Sequence, residues 1–160
     1  MTERTPDGRY IVVNGRRWRA SDPDIPQSLN SQLVKELMRA RRAVKDRGDE
    51  ARFLVNDAKF ALGERGEPWW EATPDGQRTR LRAAILTLLR HRNPKTICPS
   101  EAARVVGGDD GFRPLMDMAR EVAAELAAES LIEVQQKGEV VDASAAKGPI
   151  RLAPGPQLER

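Results

Sequence analysis

The chain has 160 residues, of which 39% are hydrophobic and 32% charged, with a net charge of +3, which suits one ordinary domain or two small ones. A single cysteine and a single histidine exclude a disulfide framework and any zinc site built from Cys and His alone. The most apolar stretch lies between Arg82 and Arg90, far short of the roughly 20 residues of a membrane helix. The polar start, Met1 to Arg9, has no signal or transit pattern, so a cytoplasmic location without a membrane partner is expected.

In chain order, Tyr10–Val13 and Arg16–Ala20 flank Asn14-Gly15, a strong hairpin signal because both turn residues tolerate positive φ. A helix is expected from about Ser28 to Arg47, with Leu29, Leu33, Leu37, Ala40 and Val44 on its apolar face. Pairs such as Arg42 with Asp46 would stabilise its solvated side. Gly48 ends that helix and Asp49 can cap the next, about Glu50 to Leu62, giving a helical hairpin against which Trp69-Trp70 folds back. Thr73-Pro74-Asp75-Gly76 reads as turn chemistry.

Beyond it, Leu81, Ala84, Ile85, Leu88 and Leu89 lie at i, i+3, i+4, i+7 and i+8, an amphipathic helix stopped by Asn93-Pro94. Thr96-Ile97 is a short extended piece. A second helix is expected over Pro99–Val106, a turn at Gly107-Gly108, and a third helix from about Gly111 to Glu129 capped by Asp109 or Asp110. Strands Leu131–Gln135 and Glu139–Asp142 surround Gln136-Lys137-Gly138, and Pro149–Leu152 adds an edge strand. This order is that of a winged helix-turn-helix. The expected fold is therefore α+β, mainly α. A β-hairpin and helical-hairpin module (1–72) is followed by a linker (73–78), a winged-helix domain (79–153) and a disordered tail (154–160).

Charge follows the same division. The first 80 residues hold 16 basic and 13 acidic side chains, whereas the remainder holds 11 of each. In helix-turn-helix proteins the start of the third helix reads base edges, which nominates Arg113, Met116, Asp117 and Arg120. Lys95, Arg104, Lys137, Lys147 and Arg151 could meet phosphates. The acidic side chains of the third helix, Asp117, Glu121, Glu125 and Glu129, oppose duplex binding and suit a protein-interaction or dimerisation module. Trp18, Trp69 and Trp70 read as core and lid packing, or as a stacking platform beside Arg16, Arg17 and Arg19.

No catalytic constellation is visible. Cys98 reads as a packed residue at a helix start with Glu101 completing an imperfect capping box, or as a thiolate at a helix N-terminus. His91 suits a helix C-terminus. Gly107-Gly108 lacks the context of a phosphate loop, and Asp109-Asp110 reads as a cap before a metal pair. No enzyme activity, cofactor, metal or small-molecule substrate is expected. The expected partner is double-stranded DNA, or alternatively a protein or a second copy of the chain.

The segments Ile97-Cys98-Pro99-Ser100-Glu101-Ala102, Gly107-Gly108-Asp109-Asp110, Ile132-Glu133-Val134, Gln136-Lys137-Gly138 and Gly148-Pro149-Ile150-Arg151-Leu152 resemble a bacterial winged-helix family, a domain of unknown function, over about residues 80–152. A second resemblance runs through Pro6-Asp7-Gly8-Arg9, Trp18-Arg19, Glu36-Leu37-Met38, Ala40-Arg41-Arg42-Ala43-Val44 and Ala61-Leu62-Gly63-Glu64-Arg65-Gly66 to Trp69-Trp70. It is to an uncharacterised family of short bacterial proteins, some labelled Tol-type biopolymer transporters. The chain looks like a fusion of the two, departing from the shorter family after Trp70. Neither resemblance implies a catalytic residue.

Overall fold

A computed structural model describes residues 3–160; Met1 and Thr2, the first two residues of the expected 1–72 module, lie outside it. The fold is α+β and mainly helical. Strands β1 (Glu3–Arg4), β2 (Tyr10–Val13) and β3 (Arg16–Arg19) form an antiparallel sheet in that order. Asn14 and Gly15 have φ of 51° and 78°, the pair of positive values that a two-residue hairpin turn demands. β1 was not legible, because two polar residues carry no alternation. A tight turn creates it, in which Thr5 N–H donates to Tyr10 O at 2.9 Å and Tyr10 N–H donates to Thr5 Oγ1 at 3.2 Å.

Helix α1 (Gln27–Arg47) and helix α2 (Arg52–Leu62) are joined by one 3-10 turn, Gly48–Ala51. Asp49 lies in that turn and pairs with Arg52 at 2.7 Å instead of capping α2 directly. α1 buries Leu29, Leu33, Leu37 and Ala40 as its periodicity predicts. The Arg42–Asp46 pair does not form; Arg39 instead grips the buried Glu36 one turn before it.

Helix α3 (Pro74–Arg92) starts where a linker was expected. Thr73 Oγ1 accepts Gly76 N–H at 3.3 Å and Pro74 fills the first helical position. Turns and helix starts use the same residue types, and here the helix wins. α3 buries Leu81, Ala84, Ile85, Leu88 and Leu89, and also Arg80, Ala83, Leu86, Thr87 and Arg90. A helix covered on nearly every side is a central one.

Helix α4 (Pro99–Gly111) is broken at Gly108, whose φ is 74°. A Cβ there would lie 3.2 Å from Asp24 O, so the break and the close approach both require glycine. The chain re-enters helical geometry after it, so neither Asp109 nor Asp110 caps the third helix. Asp109 pairs with Arg104 at 2.7 Å. A 3-10 turn, Arg113–Leu115, leads into helix α5 (Met116–Ala128).

Strands β4 (Ile132–Gln136), β5 (Glu139–Val140) and β6 (Arg151–Pro154) form a second antiparallel sheet of order β5-β4-β6. Ile97 adds a single bridge to Leu152. The residues after β6, expected to be disordered, are ordered: Gly155 N–H donates to Leu131 O at 3.0 Å, Gln157 N–H to Ser130 O at 2.9 Å, and Leu158 packs against the core.

One hydrophobic cluster runs through both halves of the chain. It joins Leu29, Leu33, Leu37, Ala61 and Leu62 to Leu81, Ile85, Leu88, Leu126, Ile132 and Leu152. Its polar centre is Arg80, whose guanidinium donates to Asp22 Oδ2 (2.8 Å), Ala61 O (3.1 Å) and Val105 O (3.0 Å). Burial pushes that guanidinium below its ordinary pKa, and Asp22 opposes the shift. The sheet β1-β2-β3 has no residue in either hydrophobic cluster.

Candidate nucleic-acid interface

Glu121 and Glu125 on α5, and Glu129 just after it, face arginines on α3. Glu121, Glu125 and Glu129 recur every four residues, and Arg78 and Arg82 do the same on α3, so the two stripes meet. Arg78 pairs with Glu121 and, at 3.1 Å, with Glu125. Arg82 and Glu129 form a two-point pair at 2.7 and 3.1 Å. That pair holds the Glu129 carboxyl below its ordinary pKa and lifts Arg82 above its own. Every arginine of α3 is in an ion pair, the others being Arg80–Asp22, Arg90–Asp57 and Arg92–Glu101. Arg78 and Arg82 were missed as partners of the third helix, since 43 to 47 residues separate each pair.

Among the residues nominated for base reading, Arg113 is exposed, with its guanidinium 5.1 Å from the Phe112 ring. Asp117 is exposed and, among the described residues, in no ion pair. Met116 is half-buried against the core, which removes it from a reading surface. Arg120 is also unavailable: it donates to Gly148 O at 3.0 Å and Ala146 O at 2.9 Å, tying the loop before β6 to α5.

The nominated phosphate contacts divide similarly. Lys95, Lys137 and Lys147 are exposed, and Lys137 occupies the β4–β5 turn with φ of 53°. Arg104 is held by Asp109 and stacks 4.0 Å from Phe112. Arg151 is anchored by two hydrogen bonds to Thr96, through Nε to Oγ1 and Nη2 to O. Arg151, Lys95, Thr96, His91, Arg92 and Gln32 line one shallow cleft beyond the C-terminal end of α3, with no carboxylate on its wall. Burial pushes the His91 imidazole below its ordinary pKa, and Glu36 opposes the shift.

Arg16, Arg17 and Arg19 lie on β3, far from that cleft. Their sheet packs on the segment between α2 and α3, at the other end of α3: Arg19 donates to Gly66 O at 2.7 Å and Trp69 Nε1 to Ala20 O at 3.0 Å. Arg17 sits 4.0 Å over Tyr10, Arg16 4.2 Å over Trp18, and Arg9 4.8 Å over Trp70. Sequence reasoning overlooked Arg9, though its position next to Tyr10 was a signal.

Cys98 precedes α4 and forms the expected capping box with Glu101: the Cys98 N–H donates to Glu101 Oε2 at 2.9 Å, and the Cys98 side chain faces the Glu101 N–H. Among the described residues no group of three or more His, Cys, Asp or Glu is placed to hold a metal, and no helix is long and apolar enough to cross a membrane.

Residues 78–154 match the model of a family described as a protein of unknown function (DUF3253), so the C-terminal half contains an uncharacterised domain of that kind. A search of curated proteins finds no match.

Proposed function

We propose that residues 78–154 form a winged helix and that this cytoplasmic protein binds double-stranded DNA through it, as a regulatory factor without cofactor or catalysis. The element order supports the reading. α3, the Ile97 bridge, α4, α5, β4 and β6 succeed one another as helix, strand, helix, helix and two strands, with the loop to β6 as wing.

The observation that carries it is the ion-pair ladder between α3 and α5. Duplex affinity is dominated by phosphate neutralisation, and an acidic third helix counts against it. With Glu121, Glu125 and Glu129 answered by Arg78 and Arg82, the opposing charge on α5 reduces to Asp117. The same ladder weakens the rival reading, because a basic partner docking on α5 must first displace two arginines.

Arg113, Lys95, Lys137 and Lys147 remain as contacts with no carboxylate partner among the described residues. Glu139 and Asp142 on the wing keep the footprint small. With the three lysines on phosphates, the expected slope is roughly −2.7 in log K against log salt. A salt titration of mixed-sequence duplex, read by anisotropy, should give a slope near that value. Arg113→Ala should weaken binding by about 1–3 kcal/mol if it meets a base. Absence of duplex binding at low salt would overturn the proposal.

A further inference from the structure

The sheet β1-β2-β3 combines three properties. It lacks a hydrophobic core, it is rich in arginine, and its rings carry cations. Partners directly opposite in an antiparallel pair share a face, so the register places Ile11, Trp18, Val13 and Arg16 on one side and Tyr10, Arg19, Val12 and Arg17 on the other. On the first side Trp18 is 43% exposed, with Arg16 4.2 Å and Lys59 5.8 Å from its ring. On the second, Tyr10 packs edge-on against Trp70 at 5.7 Å, with Arg17 over Tyr10 and Arg9 and Arg19 over Trp70.

Among the described residues none of Arg9, Arg16, Arg17 and Arg19 forms an ion pair, whereas all five arginines of α3 do. Of the nearby acids, Glu3 lies on β1 opposite Val12, and the Asp7 carboxylate is engaged by Thr5 Oγ1 and Arg9 N–H, which hold its pKa below the ordinary value. A cation seated over a ring is ordered but not neutralised. The sheet therefore has Arg16 and Lys59 beside an accessible indole on one face, and Arg9, Arg17 and Arg19 around Tyr10 and Trp70 on the other.

We propose that this sheet is a binding surface for single-stranded nucleic acid. A base stacks on Trp18, and Arg16 and Lys59, which flank its ring, take the neighbouring phosphates. Unstacked bases offer the π-face that a tryptophan platform needs, and a charged backbone runs beside them. A paired duplex keeps its base faces hidden, so the surface selects single strands. A sheet of this size suits about two or three nucleotides. The surface is separate from the wing and does not depend on the winged-helix reading.

The test is anisotropy of a labelled oligothymidylate of about 15 nucleotides with the full chain, with excess unlabelled duplex as competitor. Trp18→Ala should weaken binding roughly ten- to a hundredfold, and Trp18→Phe should retain most of it. Arg16→Ala should lower the salt slope by about 0.7, and Arg113→Ala should change nothing. Trp18 is exposed and outside the core, so a retained urea midpoint for the variants excludes unfolding as the cause. Failure to bind, equal affinity for Trp18→Ala, or binding to vesicles of anionic lipid in place of the oligonucleotide would overturn it.

Discussion

Arg80→Ala should destabilise the protein by about 3–5 kcal/mol, the cost of leaving one member of a buried ion pair uncompensated. Three groups lose their donor at once: the Asp22 carboxylate, Ala61 O at the end of α2 and Val105 O in α4. Asp22 is 7% exposed, so water cannot replace the guanidinium without opening the structure. Native domains have roughly 5–15 kcal/mol in total, so the loss removes a large share. Urea unfolding should show a lower midpoint at unchanged slope. Replacing both partners together, Arg80→Met with Asp22→Leu, should recover much of the loss, because an apolar pair leaves no stranded charge. An unchanged midpoint in Arg80→Ala would show that the three acceptors are hydrated in solution.

Excising residues 78–154, the segment with the family match, should give a chain that no longer unfolds cooperatively. α3 packs on α1 and α2 as well as on α4 and α5, and the excised segment loses Leu29, Leu33, Leu37, Ala61 and Leu62 from the shared cluster. It also loses Asp22 beneath Arg80. The exposed face of α3 would be a contiguous apolar patch, a marker of aggregation or partner binding. The measurement is far-UV circular dichroism against urea together with binding of a hydrophobic dye, since Phe112 is the only aromatic residue left in the segment. A broad transition with strong dye binding is expected. A sharp transition without dye binding would show that the C-terminal half closes its own core.

What was legible from sequence was local. Asn14-Gly15, the apolar spacing of α1 and α3, and Gly138 after Lys137 each act within a few residues, and each produced the element expected. What was hidden is non-local or chemically ambiguous. The step in charge and aromatic content between the halves suggested two modules, yet leucines of both halves share one cluster, which composition cannot reveal. Thr73-Pro74 serves a turn and a helix start equally. The tail looks polar, and its order comes from backbone pairing with Ser130 and Leu131. The candidate interface was half legible: Arg113 and Lys137 could be picked from the helix and turn pattern. Arg120 could not be discounted, because the carbonyls it binds lie 26 to 28 residues ahead.

The coreless sheet also sets a hierarchy of openings. Local unfolding free energies range from near zero at poorly packed elements up to the global value in the core. Amides of Tyr10–Arg19 therefore exchange with solvent long before those of α3, whose backbone is enclosed by four other helices. A ligand seated on that sheet suppresses these early openings and leaves the slowest core amides untouched. Occupancy is thus written into one ten-residue window of exchange rates, even where the melting temperature of the whole molecule does not move.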